Sequence, residues 1–198
     1  MRSLTTPVSL VQFWLFLGLS FVFFAFLIRA SLLKGSDAGA KRDGRSRVGI
    51  ILQSIGIGLA GFGPVLPILS PTSPAAIAGS LAVLIFMGGA IILFATSSRA
   101  LGKNWSVVAR TLDDHELVRH GPYARVRHPI YLGMLLFLLG LAVALGHLVQ
   151  LVIAVPVFLA GTVIRTRIED RLLEDRFGDA FRDYARITPA LIPKLGRA

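Results

Sequence analysis

The sequence predicts an all-α integral membrane protein of about five transmembrane helices, with a short helical hairpin, a cytoplasmic C-terminal helix and no Rossmann domain. Three observations carry this. Charged residues are only 16% of the 198, where a soluble domain carries about 25%. The hydrophobic residues, 54% of the chain, fall in uncharged runs as long as a bilayer is thick when helical. The basic residues collect in segments that alternate sides if each run crosses once.

Residues 10–28 form the first uncharged run. Only Arg2 precedes it, and its flanking positive charge, Arg29 and Lys34, lies behind it. That pattern and the run's length predict an anchor helix rather than a cleaved signal. Residues 48–69 form a second span, with Gly56 and Gly63 on one face for close helix packing. Pro64, Pro67, Pro71 and Pro74 end it and shape an outer turn. Residues 75–96 form a third. Residues 130–164 are 35 uncharged positions, too many for one span, so Gly146 and His147 mark the turn between a fourth and a fifth helix. Domain organisation follows as a three-helix membrane region, 1–96, and a chemically richer region, 97–198.

The 21 basic residues include six at 29–47, six at 97–129 and eight at 165–198, and these segments also hold all 11 acidic residues. The positive-inside rule makes them cytoplasmic. Five spans then place the N-terminus outside, with the charged face, and any site on it, in the cytoplasm. The net charge of +10 is explained by this topology and by anionic lipid. No basic patch interleaved with aromatic residues calls for nucleic acid. The chain has no cysteine, which excludes thiolate chemistry and disulfides. The sequence sets no oligomeric state.

In the cytoplasmic segments, Trp105 suits a membrane interface. In the tail, Ile168, Leu172, Leu173 and Phe177 recur at helical spacing. Gly178 interrupts or caps that helix, Phe181 and Tyr184 continue its stripe, and Pro189 and Pro193 stop it.

The densest chemistry is LVRHGPYARVRHPIYLG, residues 117–133, which packs His120, Tyr123, Arg125, Arg127, His128 and Tyr131 into twelve positions. Pro129 suits the first turn of a helix, whose amino end favours an anion. Arg165 and Glu169, four apart, share one helix face. On residue chemistry alone that pair reads first as a surface ion pair. The four histidines do not have metal-ligand spacing, and no nucleophile elbow or dinucleotide fingerprint occurs.

LGKNWS, HELV, GPYARVRHPIYLG, RIEDRLLEDRFGDAFRDY and ITPALIP resemble the isoprenylcysteine carboxyl methyltransferase family, to which phospholipid N-methyltransferases are related. The resemblance covers about residues 99–195. It implies a membrane methyltransferase that uses S-adenosylmethionine. It implies cofactor contacts at His115, Glu116, Leu117, Val118, Tyr123, His128, Pro129, Ile130, Tyr131 and Glu169. It implies an acceptor-binding arginine at Arg165, so that Arg165 and Glu169 flank the reaction. Asp170 stands where the family often repeats glutamate, Phe181 where it often has tyrosine, and Val108 near a glutamine of eukaryotic members. The partners implied are membrane lipid and a lipophilic acceptor: a prenylcysteine-type carboxylate first, a phospholipid amine or small thiol otherwise. A non-enzymatic scaffold or transporter is the other class. No ionisable residue lies in the middle of the first three spans, as a transport pathway would want.

Overall fold

The computed structural model describes residues 5–33, 41–42, 44–102, 105, 110–111 and 116–193. They form six helices: α1 (Leu10–Leu32), α2 (Ser46–Gly61), α3 (Pro74–Leu101), α4 (Pro129–Leu145), α5 (Leu151–Phe177) and α6 (Asp179–Ile187). Two short strands, β1 (Lys41–Arg42) and β2 (Arg110–Thr111), pair antiparallel. Three helices, α1, α3 and α5, are long and apolar enough to cross a membrane. With 17 residues, α4 is about 25 Å long, somewhat short of a hydrocarbon core.

Helix boundaries follow local chemistry. Ser9 caps α1 by accepting from the Gln12 N–H at 3.1 Å. Ser73 does the same for α3 through the Ala76 N–H at 3.2 Å, with Pro74 in the first turn. The second helix ends at Gly61, eight residues before the predicted boundary. Pro64 and Pro67 supply no N–H, and Gly63 takes φ +145°, so the chain runs extended instead. Gly63 therefore lies beyond the helix and does not share a packing face with Gly56.

Large apolar side chains point outward along the bundle, including Trp14, Phe21, Ile85 and Val152. That surface suits lipid. Inside, Phe16, Phe23, Phe94 and Phe137 pack with Val83 and Met87 in one cluster, and Leu138, Ala142, Ala154 and Phe158 form another. Trp105 belongs to the first cluster and is buried. Gly102 ends α3 at φ +51°, and the indole meets the Phe94 ring edge-on at 6.3 Å.

The predicted hairpin is present, but its two helices pack mainly elsewhere: α4 against α3, α5 against α2. Glycine permits both approaches. A Cβ on Gly133 would stand 3.3 Å from the Ala90 carbonyl oxygen, and one on Gly161 would stand 2.6 Å from that of Gly49. One end of the bundle is knitted by Thr6 to Gly146 (2.8 Å) and by His147, whose ring nitrogens face the carbonyls of Ala60 and Pro64 at 3.0 and 3.1 Å. The opposite end gathers the amino ends of α2 and α4, the carboxyl ends of α1 and α3, and the charged half of α5.

Candidate active site

The chain approaches that charged end through Glu116, which is exposed, and Leu117 and Val118, which are half-buried. His115 lies outside the described residues. Gly121–Ala124 makes a 3₁₀ turn that begins at φ +60° on Gly121 and buries Tyr123. Burial, and after it the negative charge of Glu169, hold the Tyr123 phenol well above the usual tyrosine range. The chain then enters α4 at His128 and Pro129. Ile130 turns its side chain into the aromatic core.

Glu169 is the hub. Its Oε1 accepts from the Tyr131 hydroxyl in a short hydrogen bond and lies 3.6 Å from Arg165 Nη2. Its Oε2 lies 3.3 Å from His128 Nδ1. The other ring nitrogen, Nε2, lies 2.9 Å from Asp170 Oδ1. With a carboxylate at each nitrogen, only the doubly protonated imidazole donates to both. Burial disfavours that charge, but the hydrogen bonds to Asp170 and Glu169 outweigh it and raise the His128 pKa above its ordinary value.

Arg165 is 5% exposed. Its guanidinium lies 4.9 Å over the Tyr131 ring, and its Nη1 donates to Gln53 Oε1 at 3.3 Å. A desolvated cation so placed is attracted by the ring face. The ion pair with Glu169 is thus part of a partly buried network, with Arg165 itself buried, and not the surface pair suggested by residue chemistry alone.

A second layer clasps the tail over this core. Arg127 donates to Asp170 at 2.9 Å and to the carbonyls of Ala185 and Thr188 at 3.0 and 2.5 Å. The Arg127 and His128 N–H groups donate to the carbonyls of Pro189 and Ala190 at 2.9 and 3.0 Å. The Tyr184 hydroxyl donates to the Tyr123 carbonyl at 2.7 Å, and its burial raises its pKa to about 12. In α6 the buried Phe181 and Tyr184 face this layer, while Arg182, Asp183 and Arg186 face out.

The structure therefore brings together Tyr123, His128, Tyr131, Arg165 and Glu169, with Pro129 fully buried beneath them. It adds Gln53, Arg127, Asp170 and Tyr184. The Arg127 and Asp170 clamp had a signal, because both lie within the two densest polar motifs. Gln53 had only its place as an amide in an apolar run.

The donor set fits a cofactor that carries a sulfonium, an ammonium and ribose hydroxyls. Glu169 and Asp170 keep 25% and 24% of their side-chain surface exposed, against 4% for His128. Carboxylate edges therefore remain open to a cation or a hydroxyl, while the groups that hold them are shielded.

Comparison with known proteins bears on this cluster. The protein-S-isoprenylcysteine O-methyltransferase of Schizosaccharomyces pombe is 34% identical over 89 residues, which are 45% of this chain and 38% of that protein. The cobalt-zinc-cadmium resistance protein CzcN of Cupriavidus metallidurans is 35% identical over 106 residues, 52% of this chain and 48% of that one. The nickel-cobalt-cadmium resistance protein NccN of Alcaligenes xylosoxydans xylosoxydans is 38% identical over 80 residues, 40% and 37% of the two. The chain thus spans less than half the length of each of these relatives. The phospholipid methyltransferase profile matches residues 77–180, which include α4, all of α5 and the Glu169 network except Gln53, while Tyr184 of the second layer lies beyond it. That match extends over more than half of the sequence, and the chain belongs to the phospholipid methyltransferase family.

Proposed function

We propose that this chain is a membrane methyltransferase that uses S-adenosylmethionine and methylates a lipid-like acceptor, a prenylcysteine-type carboxylate first among them. The observation that carries the reading is the buried Arg165 guanidinium, stacked on Tyr131 and one helical turn from Glu169. When bound, the cofactor supplies a methyl group on a sulfonium cation. The chain's task is to align an acceptor with that methyl and to keep water away. Arg165 would hold an acceptor carboxylate, which is already ionised at neutral pH and needs no general base. Its low exposure strengthens that attraction. His115, Glu116, Leu117, Val118, Tyr123, His128, Pro129, Ile130, Tyr131 and Glu169 would line the cofactor's place, with residues 97–198 as the catalytic region. Arg165 and Glu169 would face the reacting groups.

In this reading the site opens to the cytoplasm and the N-terminus lies outside, which the basic segments support. A lipid tail would enter sideways between helices.

A phospholipid amine is the second acceptor, favoured by the name of the matching family. An amine that arrives protonated needs a base, and Glu169 is the carboxylate in place. Glu169 faces donors on Tyr131, His128 and Arg165, and such donors favour its ionised form and weaken it as a base. The geometry thus favours an acceptor that is already anionic.

The test is purification in detergent and incubation with methyl-labelled S-adenosylmethionine, with S-farnesylcysteine in one arm and a membrane lipid extract in another. Label in the farnesylated product supports the carboxylate reading. Label only in a lipid amine would replace it, and no cofactor binding in folded protein would favour a non-enzymatic membrane protein.

A further inference from the structure

The geometry points to Gln53, in the middle of α2, as a positioning residue that sets how Arg165 presents itself to the acceptor. This deepens the reading of Arg165 as the acceptor-binding group and rests on it. Gln53 lies outside residues 77–180, the part that matches the family, so this contribution comes from the membrane region assigned above to packing.

The argument begins with Thr162. Its hydroxyl donates to the Phe158 carbonyl at 3.0 Å, which commits its one proton. Toward Gln53 it can only accept, and Gln53 Nε2 donates to it at 2.9 Å. That bond fixes which end of the amide faces which way. Gln53 Oε1 must then face Arg165, and it accepts from Nη1 at 3.3 Å. Gln53 is 1% exposed and Thr162 also 1%, so no solvent competes for either group.

The backbone reinforces this orientation. A Cβ on Gly49, one turn before Gln53, would stand 2.4 Å from Arg165 Cγ and 2.8 Å from the Gly161 carbonyl oxygen. The aliphatic stem of Arg165 therefore lies directly across α2. Gln53 meets the guanidinium from one side, and Glu169 and the Tyr131 face meet it from others. A neutral amide at this place accepts a hydrogen bond without adding negative charge. An anion there would compete with an acceptor carboxylate for the same cation.

Two substitutions test this in the full chain. Gln53→Glu keeps the shape and adds the competing charge. Thr162→Val keeps the volume and removes the group that orients the amide. Cofactor affinity by calorimetry, melting temperature, and KM and kcat for S-farnesylcysteine are read for each. Gln53→Glu should raise the acceptor KM roughly tenfold or more, and Thr162→Val should raise it in the same direction by less. Cofactor affinity should stay near that of the unmutated chain in both. If either variant folds, binds cofactor normally and keeps an unchanged acceptor KM, Gln53 does not position Arg165. Equal losses of cofactor and acceptor affinity would mark a packing role and also overturn the proposal. Failure of the unmutated chain to methylate the probe would remove the acceptor reading itself, a result distinct from these.

Discussion

Tyr131 and Arg165 meet as ring and cation, 4.9 Å apart, and both reach the same carboxylate oxygen of Glu169. One residue opens α4 and the other lies in α5, so the contact locks two helices that otherwise pack on different partners. The three side chains can then be separated by experiment.

Tyr131→Phe keeps the ring under the guanidinium and deletes the hydrogen bond to Glu169. Cofactor affinity should fall by roughly tenfold, as expected for a lost bond to a charged group, while acceptor KM changes little. Titration calorimetry on purified protein measures the first. Unchanged affinity would show that Glu169 does not need Tyr131 to meet the cofactor.

Arg165→Lys keeps the charge and removes the planar fork that stacks on Tyr131 and spans Gln53 and Glu169. Acceptor KM should rise roughly tenfold with cofactor affinity near normal. Steady-state kinetics over both substrates check it, and an equal loss for both would assign Arg165 to stability.

His128 predicts a pH dependence. Its folded-state pKa is raised by Asp170 and Glu169 against the opposing effect of burial. A raised pKa means the stabilisation is fully present below the unfolded value of about 6.5 and is lost as pH rises through the folded value. Melting temperature in detergent should fall across that window. In His128→Gln this descent should be absent, and a persistent one would place the titrating group elsewhere.

Gly161→Ala should be destabilising by about 1–3 kcal/mol, the usual cost of overpacking. The added Cβ would stand 2.6 Å from the Gly49 carbonyl oxygen and 2.9 Å from the Gln53 N, both backbone atoms that cannot yield without moving α2. Denaturation in detergent reads the cost. A neutral result would mean that the helices separate easily.

The chain lacks cysteine, so one introduced thiol reports one position. Thr72→Cys, between α2 and α3, and Arg186→Cys, in α6, are both at exposed sites. Impermeant thiol reagents should label them from opposite sides of the membrane. Labelling of both from one side would end the proposed topology.

The sequence by itself determined how many apolar segments there are, their order, and the charged end at which chemistry gathers. Uncharged run length and basic bias are local properties, readable without knowing any neighbour. It also placed Tyr123, His128, Tyr131, Arg165 and Glu169 in two motifs. What only the tertiary structure decided is which helix faces which. Lipid is as apolar as leucine, so a hydrophobic residue reads the same whether it meets the membrane or another helix. Hence the sequence could not tell that α5 lies on α2, that Trp105 is buried against Phe94, or that Gly63 leaves the helix that Gly56 packs. Gln53 shows the reason most plainly. Its amide has no partner within its own segment, and both groups it bonds, Thr162 and Arg165, stand more than a hundred residues away. Such a bond exists only once α2 and α5 come within reach, and glycine at positions 49 and 161 is what lets them.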